Sequence, residues 1–171
     1  MLVALKIYPD SRCDAVSAIA VEIARLASGR LRLRYEVMGH VHALNLPAEA
    51  NPERADDLWK HTCFEAFVAR EHGGYDEFNF LPSMRWAGYR FDSIRTGMRN
   101  IEMTPPEIRS RRSASAFTLE ASLDFPEGDR LALSAVIEEA SGEISYWALA
   151  HPAERPDFHH PGSFTIDLGT I

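Results

Sequence analysis

Three tryptophans, Trp59, Trp86 and Trp147, and four polar side chains, Glu65, Glu77, Asn79 and Arg90, are the residues whose types and spacing invite chemistry. A flat indole covers the apolar side of a pyranose ring, while carboxylate, carboxamide and guanidinium groups exchange paired hydrogen bonds with hydroxyls. Alternation along strands sends Glu65, Glu77, Asn79, Trp86 and Arg90 to one face, with Trp59 just ahead of the first strand and Trp147 on a later one. These seven residues form the candidate ligand-binding set. The competing account is a second core in which Glu77 and Arg90 satisfy each other as a buried pair.

Glu65 and Glu77 also have the chemistry of a glycosidase pair, one acid and one base or nucleophile. A four-residue turn Pro82-Ser83-Met84-Arg85 would set Leu81 against Trp86, Asn79 against Gly88 and Glu77 against Arg90. That guanidinium would draw the Glu77 pKa down and leave a poor general acid. His61 and Cys63 share a strand face at i and i+2, but no third group orients them as base and nucleophile. There is no serine-centred nucleophile elbow, phosphate loop or dinucleotide fingerprint. Catalysis is therefore not expected, and no catalytic residue is assigned. His61, His151, His159 and His160, with an oxygen from Asp157 or Glu65, are candidate metal ligands, yet their spacing fits no zinc motif and loop histidines bonded to backbone account for them.

The elements that must position these groups read as strands. From Phe117 to Phe125 apolar and polar residues alternate, Pro126-Glu127-Gly128-Asp129 supplies turn chemistry, and Arg130 to Glu139 continues the alternation. Ser141-Gly142 then leads into Glu143 to His151, so that a three-stranded meander is expected. Cys63 to Ala69, Tyr75 to Leu81 and Trp86 to Asp92 repeat the pattern. A three-residue His72-Gly73-Gly74 loop sets Val68 against Phe78 and Ala66 against Phe80, and Phe64, Ala66, Val68, Phe78, Phe80, Tyr89 and Phe91 become one core layer. Asp14 to Ala27 fits either an amphipathic helix or a strand with a bulge near Ala24 to Leu26, followed by a strand Arg30 to Val37. Pro47 to Asp57 is a polar loop in which Asn51-Pro52 has the form of a helix start.

The length of 171 residues, with 46% apolar, fits one soluble globular domain over residues 1–171, large enough to bury a core without disulfides or a structural metal. The expected class is all-β, a two-sheet antiparallel sandwich with few helical turns. No apolar run approaches the ~20 residues of a membrane span, and Lys6 lies inside the first apolar stretch, so neither signal peptide nor anchor is expected. The net charge of −7 disfavours a nucleic-acid partner. Arg109, Arg111 and Arg112 are a local exception, read as a solvated loop. Two cysteines without zinc spacing, Cys13 and Cys63, fit a reducing, cytoplasmic setting. The region Arg95 to Arg112, with Pro105-Pro106, is the exposed connection best suited to a protein partner.

Asp57-Leu58-Trp59-Lys60-His61-Thr62-Cys63-Phe64-Glu65-Ala66-Phe67, then Tyr75-Asp76-Glu77-Phe78-Asn79-Phe80 and Pro82-Ser83, resemble the DOMON-like proteins related to family-nine carbohydrate-binding modules. Tyr146-Trp147-Ala148-Leu149-Ala150-His151-Pro152 and Pro156-Asp157-Phe158-His159-His160-Pro161 resemble the same group near its C-terminus. The resemblance implies a β-sandwich, tips Asp14 to Ala27 towards strand, and implies non-catalytic recognition of a sugar or other small polar ligand. Relatives usually carry glycine after Pro-Ser, where Met84 stands here, which puts a turn of positive φ in question. The sugar-stacking tryptophans of carbohydrate modules do not align one by one onto Trp59, Trp86 or Trp147. Some relatives bind calcium, and others carry haem, for which Met84, Met98 and Met103 with His159 or His160 are candidate axial ligands; no cofactor is assigned.

Overall fold

The computed structural model describes all 171 residues. Twelve strands and four single-turn 3-10 segments account for its regular structure. The strands are β1 (Leu2–Ile7), β2 (Val16–Arg25), β3 (Leu31–Gly39), β4 (Cys63–Ala69), β5 (Tyr75–Phe80), β6 (Trp86–Phe91), β7 (Arg99–Asn100), β8 (Glu107–Arg112), β9 (Ala116–Leu123), β10 (Arg130–Glu138), β11 (Ile144–Ala148) and β12 (Ile166–Asp167). One sheet runs β8-β9-β3-β2-β1 and the other β1-β11-β10-β4-β5-β6-β7, all antiparallel, with β12 beside β10. The joint is β1, which pairs with β2 through Leu2–Leu5 and with β11 through Lys6 and Ile7. The expected two-sheet β-sandwich is therefore the architecture observed.

Alternation explains how the sheets close on each other. In β3 the residues Leu31, Leu33, Tyr35 and Val37 are buried inward, while Arg32, Arg34 and Glu36 face outward, where Arg32 meets Glu22 at 2.6 Å. Phe64, Ala66, Val68, Phe78 and Phe80 answer from the second sheet, and 30 buried residues make one inter-sheet core. Tyr35 spans it and donates its hydroxyl hydrogen to the Glu65 carbonyl oxygen at 2.8 Å.

The second sheet is unusual because its other face is buried too. Leu58, Cys63, Phe67, Tyr75, Tyr89 and Phe91 belong to a second apolar cluster on this outer face. Phe158 and Phe164, from the chain that follows β11, and Ala55, from the loop before β4, pack against it.

Several expectations need correction. The largest concerns β6. Met84 N–H donates to Leu81 O and Leu81 N–H to Arg85 O, both at 3.0 Å, which closes a three-residue loop with Pro82 leading and Met84 at φ +69°. Counting four loop residues instead shifts the register by one, and a shift of one turns every side chain over. The observed pairs are Phe80 with Trp86, Asn79 with Ala87, Glu77 with Tyr89 and Asp76 with Arg90. Trp86 thus faces the inter-sheet core, and Tyr89 and Phe91 leave the expected core layer for the outer face. The β4–β5 loop is Glu71-His72-Gly73, with Ala66 opposite Phe78 and Phe64 opposite Phe80. That register differs by two from the expectation, so the faces are kept.

The expected meander does not form, because β9 pairs with β3 and β8, and Pro126–Asp129 carries the chain across to the other sheet; of its three strands β10 and β11 alone pair with each other as a hairpin. The helix-or-strand segment is β2, its irregularity lying between Val16 and Ala18 and not near Leu26. No helix begins at Asn51-Pro52. The chain there has no regular structure beyond a bridge of Arg54 to Trp86, bends at Asp56, and enters the 3-10 segment Leu58–Lys60, which Asp57 precedes at φ +60°. Arg109, Arg111 and Arg112 belong to edge strand β8, not to a loop, and Arg109 lies opposite Glu120. Ile108 on the same strand packs inward, a signal that the surrounding arginines mask.

Candidate functional site

The outer face of the second sheet is laid out in rows across the strands. Ser134, Glu65, Asn79 and Ala87 form one row, and Ala132, Phe67, Glu77 and Tyr89 the next. Glu65 and Glu77 are thus diagonal neighbours on one face. The loop before β4, the loop after β6 and the segment after β11 rise around them and enclose a cleft of about 710 Å³. Glu65, Glu77 and Val136 lie towards its floor, Tyr89, Phe91, Tyr146 and Phe158 supply aromatic walls, and Trp59, 52% exposed, stands at the rim.

Both floor carboxyls are raised above the ordinary carboxylate range. Burial is the first cause for each. It pushes Glu65 up to about 8, with the charge of Glu77 adding to it and the Ser134 hydroxyl opposing it from 2.9 Å. Glu77 is pushed up to about 7, opposed by the Asn79 amide, which donates to Oε1 at 2.8 Å, and by the more distant Arg95. The expected Glu77–Arg90 pair is absent, since the β6 register gives Arg90 to Asp76 through two bonds of 2.7 and 2.8 Å. The pKa of Glu77 therefore moves in the opposite direction from the expectation.

His159 completes the floor. Its Nδ1 lies 2.6 Å from the Tyr75 hydroxyl, and the Arg95 backbone N–H donates to that hydroxyl oxygen at 3.2 Å. The other ring nitrogen, Nε2, is 3.9 Å from Glu77 Oε2. Burial first, then the Arg95 charge, lower the His159 pKa to about 4, so the ring is neutral at pH 7. Phe67 and Phe91 meet the ring edge-on at centroid distances of 5.3 and 5.4 Å. Arg95 itself is held by Asp157 at 2.9 Å. On the opposite rim the Tyr89 hydroxyl donates to Asp56 at 2.6 Å, and this bond, ahead of Arg54, lowers the Asp56 pKa.

Of the seven candidate ligand residues, Trp59, Glu65 and Glu77 line the cleft, and Asn79 stands beside the two acids, fully buried. Trp86, Arg90 and Trp147 do not share that face. Trp86 and Trp147 are core residues, 6% and 5% exposed, and Trp147 Nε1–H donates to Ser145 Oγ at 2.9 Å. The histidines separate as well. His61 pairs with Glu138 at 2.8 Å, His151 bonds the Lys6 carbonyl at 2.7 Å, and His160 accepts from Gly162 N at 3.0 Å. Only His159 enters the cleft, and no three His, Cys, Asp or Glu residues are grouped to hold a metal ion. Met98 lines the cleft with His159, whereas Met84 and Met103 pack against the inter-sheet core.

Sequence reasoning missed Tyr89, Phe91, Tyr146, Phe158 and Arg95. The aromatic pair Tyr89 and Phe91 follows once the Leu81–Arg85 loop is counted correctly. Phe158 and His159, between Pro156 and Pro161, carried a signal as an aromatic segment in an otherwise polar tail. Nothing local marks Arg95.

No protein-family model matches this sequence, and no curated protein does. Among solved structures, the chain is similar to a crystal structure described as a "putative carbohydrate-binding protein" from Bacteroides uniformis, with a TM-score of 0.63 and 16% sequence identity. The similarity covers 96% of this chain and 84% of that one. At that identity the likeness establishes the fold, a β-sandwich of the kind found in that protein.

Proposed function

We propose that the chain is a carbohydrate-binding domain that holds a sugar in the cleft on the outer face of its second sheet, without catalysing a reaction on it. One observation carries this reading: an exposed tryptophan, Trp59, stands over an aromatic-walled cleft whose floor bears two buried carboxyl groups. The indole and the Tyr89 and Phe91 rings offer flat apolar faces to a pyranose, and Glu65 and Glu77 offer oxygens to its hydroxyls. The fold shared with the Bacteroides uniformis protein supports the reading, as does the resemblance of Asp57–Phe67 and Tyr146–Pro152 to DOMON-like and family-nine carbohydrate-binding proteins. Calorimetric titration with a panel of mono- and oligosaccharides tests it. Binding by the wild type and its loss in Trp59→Ala is the expected pair of results; no heat from any sugar rejects the reading.

A second reading has its own observation. With Arg90 engaged by Asp76, burial raises Glu65 above Glu77, whose charge the Asn79 amide and Arg95 favour, and a protonated carboxyl beside a second carboxylate is the equipment of glycoside hydrolysis. Release of nitrophenol from aryl glycosides, abolished by Glu65→Gln, would favour it over binding alone.

A further inference from the structure

The floor of the cleft constrains the ligand more narrowly than the cleft's shape does. Glu65 and Glu77 are 2% and 5% exposed, yet both line the cavity. Neither has a lysine or arginine within 4.0 Å; the one basic side chain that near is His159, 3.9 Å from Glu77 and neutral. Each carboxyl has one oxygen engaged, Glu65 Oε2 by Ser134 and Glu77 Oε1 by Asn79, while Glu65 Oε1 and Glu77 Oε2 lack a hydrogen-bond partner. Asn79, entirely buried beside them, leaves its Oδ1 unpartnered as well. Of the three, Asn79 Oδ1 is shut off from solvent behind the acids, while the two carboxyl oxygens open on the cleft, so the floor presents oxygens for which the protein itself supplies no donor. Arg95 does not reach them, because Asp157 holds its guanidinium.

The walls point the same way. Tyr89, Phe91, Tyr146 and Phe158 surround the cavity with aromatic surface, and Trp59 adds an exposed indole at the rim. Aromatic faces above carboxyl oxygens favour a cation. Among the charged side chains lining the cleft, Asp56, Asp57, Glu65 and Glu77 outnumber Arg95 and Arg155.

We propose that the ligand carries a primary ammonium group seated on Glu65 and Glu77, so that the cleft selects amino sugars over neutral and N-acetylated ones. The proposal rests on the sugar-binding reading and names the substrate class for that site. An ammonium group has three N–H donors and no acceptor, the complement of what the floor presents. Seating the ammonium favours ionisation of carboxyls that burial otherwise holds partly protonated at pH 7, and the bonds it then makes are charge-assisted and stronger than those of a hydroxyl. N-acetylation removes the charge, and with it the attraction that ionises the floor, and places an acyl group where the ammonium would sit.

Calorimetry at pH 7 with glucosamine, galactosamine and chitosan oligomers, beside glucose, galactose and the N-acetylated forms of the same amino sugars, tests the proposal. The amino sugars are expected to bind at least about tenfold more tightly than their counterparts. Glu65→Gln and Glu77→Gln, close to isosteric with the native residues, are expected to erase that preference. Should either variant fail to fold by circular dichroism, the wild-type comparison of amino with acetylated sugars still decides. Equal or tighter binding of the neutral or acetylated sugars overturns the ammonium proposal and leaves sugar binding standing. Absence of binding by every sugar overturns both.

Discussion

At the scale of single residues, the cleft separates groups that pack from groups that wait for a partner. Trp59 is half exposed and makes no contribution to either apolar cluster, so Trp59→Ala is expected to abolish sugar binding with the thermal midpoint unchanged within about 1 °C. Calorimetry and a melting curve on the same sample check both halves. The acids make a different prediction. Burial lifts Glu65 to about 8 and Glu77 to about 7 from an unfolded value near 4.5, so the folded chain holds more protons than the unfolded one between those values, and stability falls as pH rises through them. His159 acts oppositely, since its folded pKa of about 4 lies below 6.5 and its contribution grows from pH 4 to 6.5. Above pH 6.5 the histidine's effect is complete and the acids act alone. The thermal midpoint of the ligand-free protein should therefore drop between pH 6.5 and 8, and the Glu65→Gln/Glu77→Gln double variant should be flat there. A flat wild-type profile would show that both acids ionise in their ordinary range. Glu65 and Glu77 were legible in the sequence because strand parity is a local property. Their ionisation was not, since it depends on which arginine the next hairpin brings across.

At the scale of elements, four hairpins share one loop geometry. Leu26–Arg30, Arg70–Gly74, Leu81–Arg85 and Glu139–Glu143 each close with paired backbone bonds around three residues, the third having positive φ. That third residue is Gly29, Gly73, Met84 and Gly142 in turn. Gly29 tests the requirement cleanly, because a methyl group there would meet nothing within 4 Å and only its φ of +82° opposes a side chain. Gly29→Ala is expected to cost about 1–2 kcal/mol in urea unfolding; no cost would mean that the loop readily adopts another form. The exception at Met84 is why the β6 register was not legible. A glycine at that position would have announced the three-residue loop, whereas methionine made a four-residue count equally natural. One misplaced residue then exchanged Trp86 and Arg90 for Tyr89 and Phe91 on the cleft face. The strands β4, β5 and β6 themselves were readable from alternation, but β8 was not, because arginine dominates its composition.

At the scale of the molecule, one sheet of the sandwich buries both its faces, and the two burials do different work. The inner face builds the inter-sheet core, where Trp147 is packed and hydrogen-bonded to Ser145. Trp147→Ala should lower stability by about 3–5 kcal/mol, as large-to-small core changes do, with any surviving folded protein still binding ligand. Urea denaturation reads the first part and titration of the folded fraction the second. The outer face, held under the segment after β11, shapes the cleft. That division was invisible in the sequence, where both faces of β4 and β5 read as apolar with polar interruptions and only the covering tail decides which is open. The long-range order of the sheets was equally hidden, since the Pro126–Asp129 turn has hairpin chemistry yet joins strands in different sheets.

The central claim is that sugar binds on the outer face at Trp59 and not at the buried tryptophans. The three indole N–H groups lie in distinct surroundings: Trp59 is exposed, Trp147 is bonded to Ser145, and Trp86 is buried without a partner. They are therefore well placed to give separate signals in an amide and indole correlation spectrum of nitrogen-labelled protein. Titration with amino sugars and their neutral counterparts should move the Trp59 indole resonance together with the backbone signals of Glu65, Glu77 and His159, leaving Trp86 and Trp147 in place. A spectrum in which the Trp59 signal stays fixed while sugar binds elsewhere, or in which no sugar moves any signal, would contradict the account.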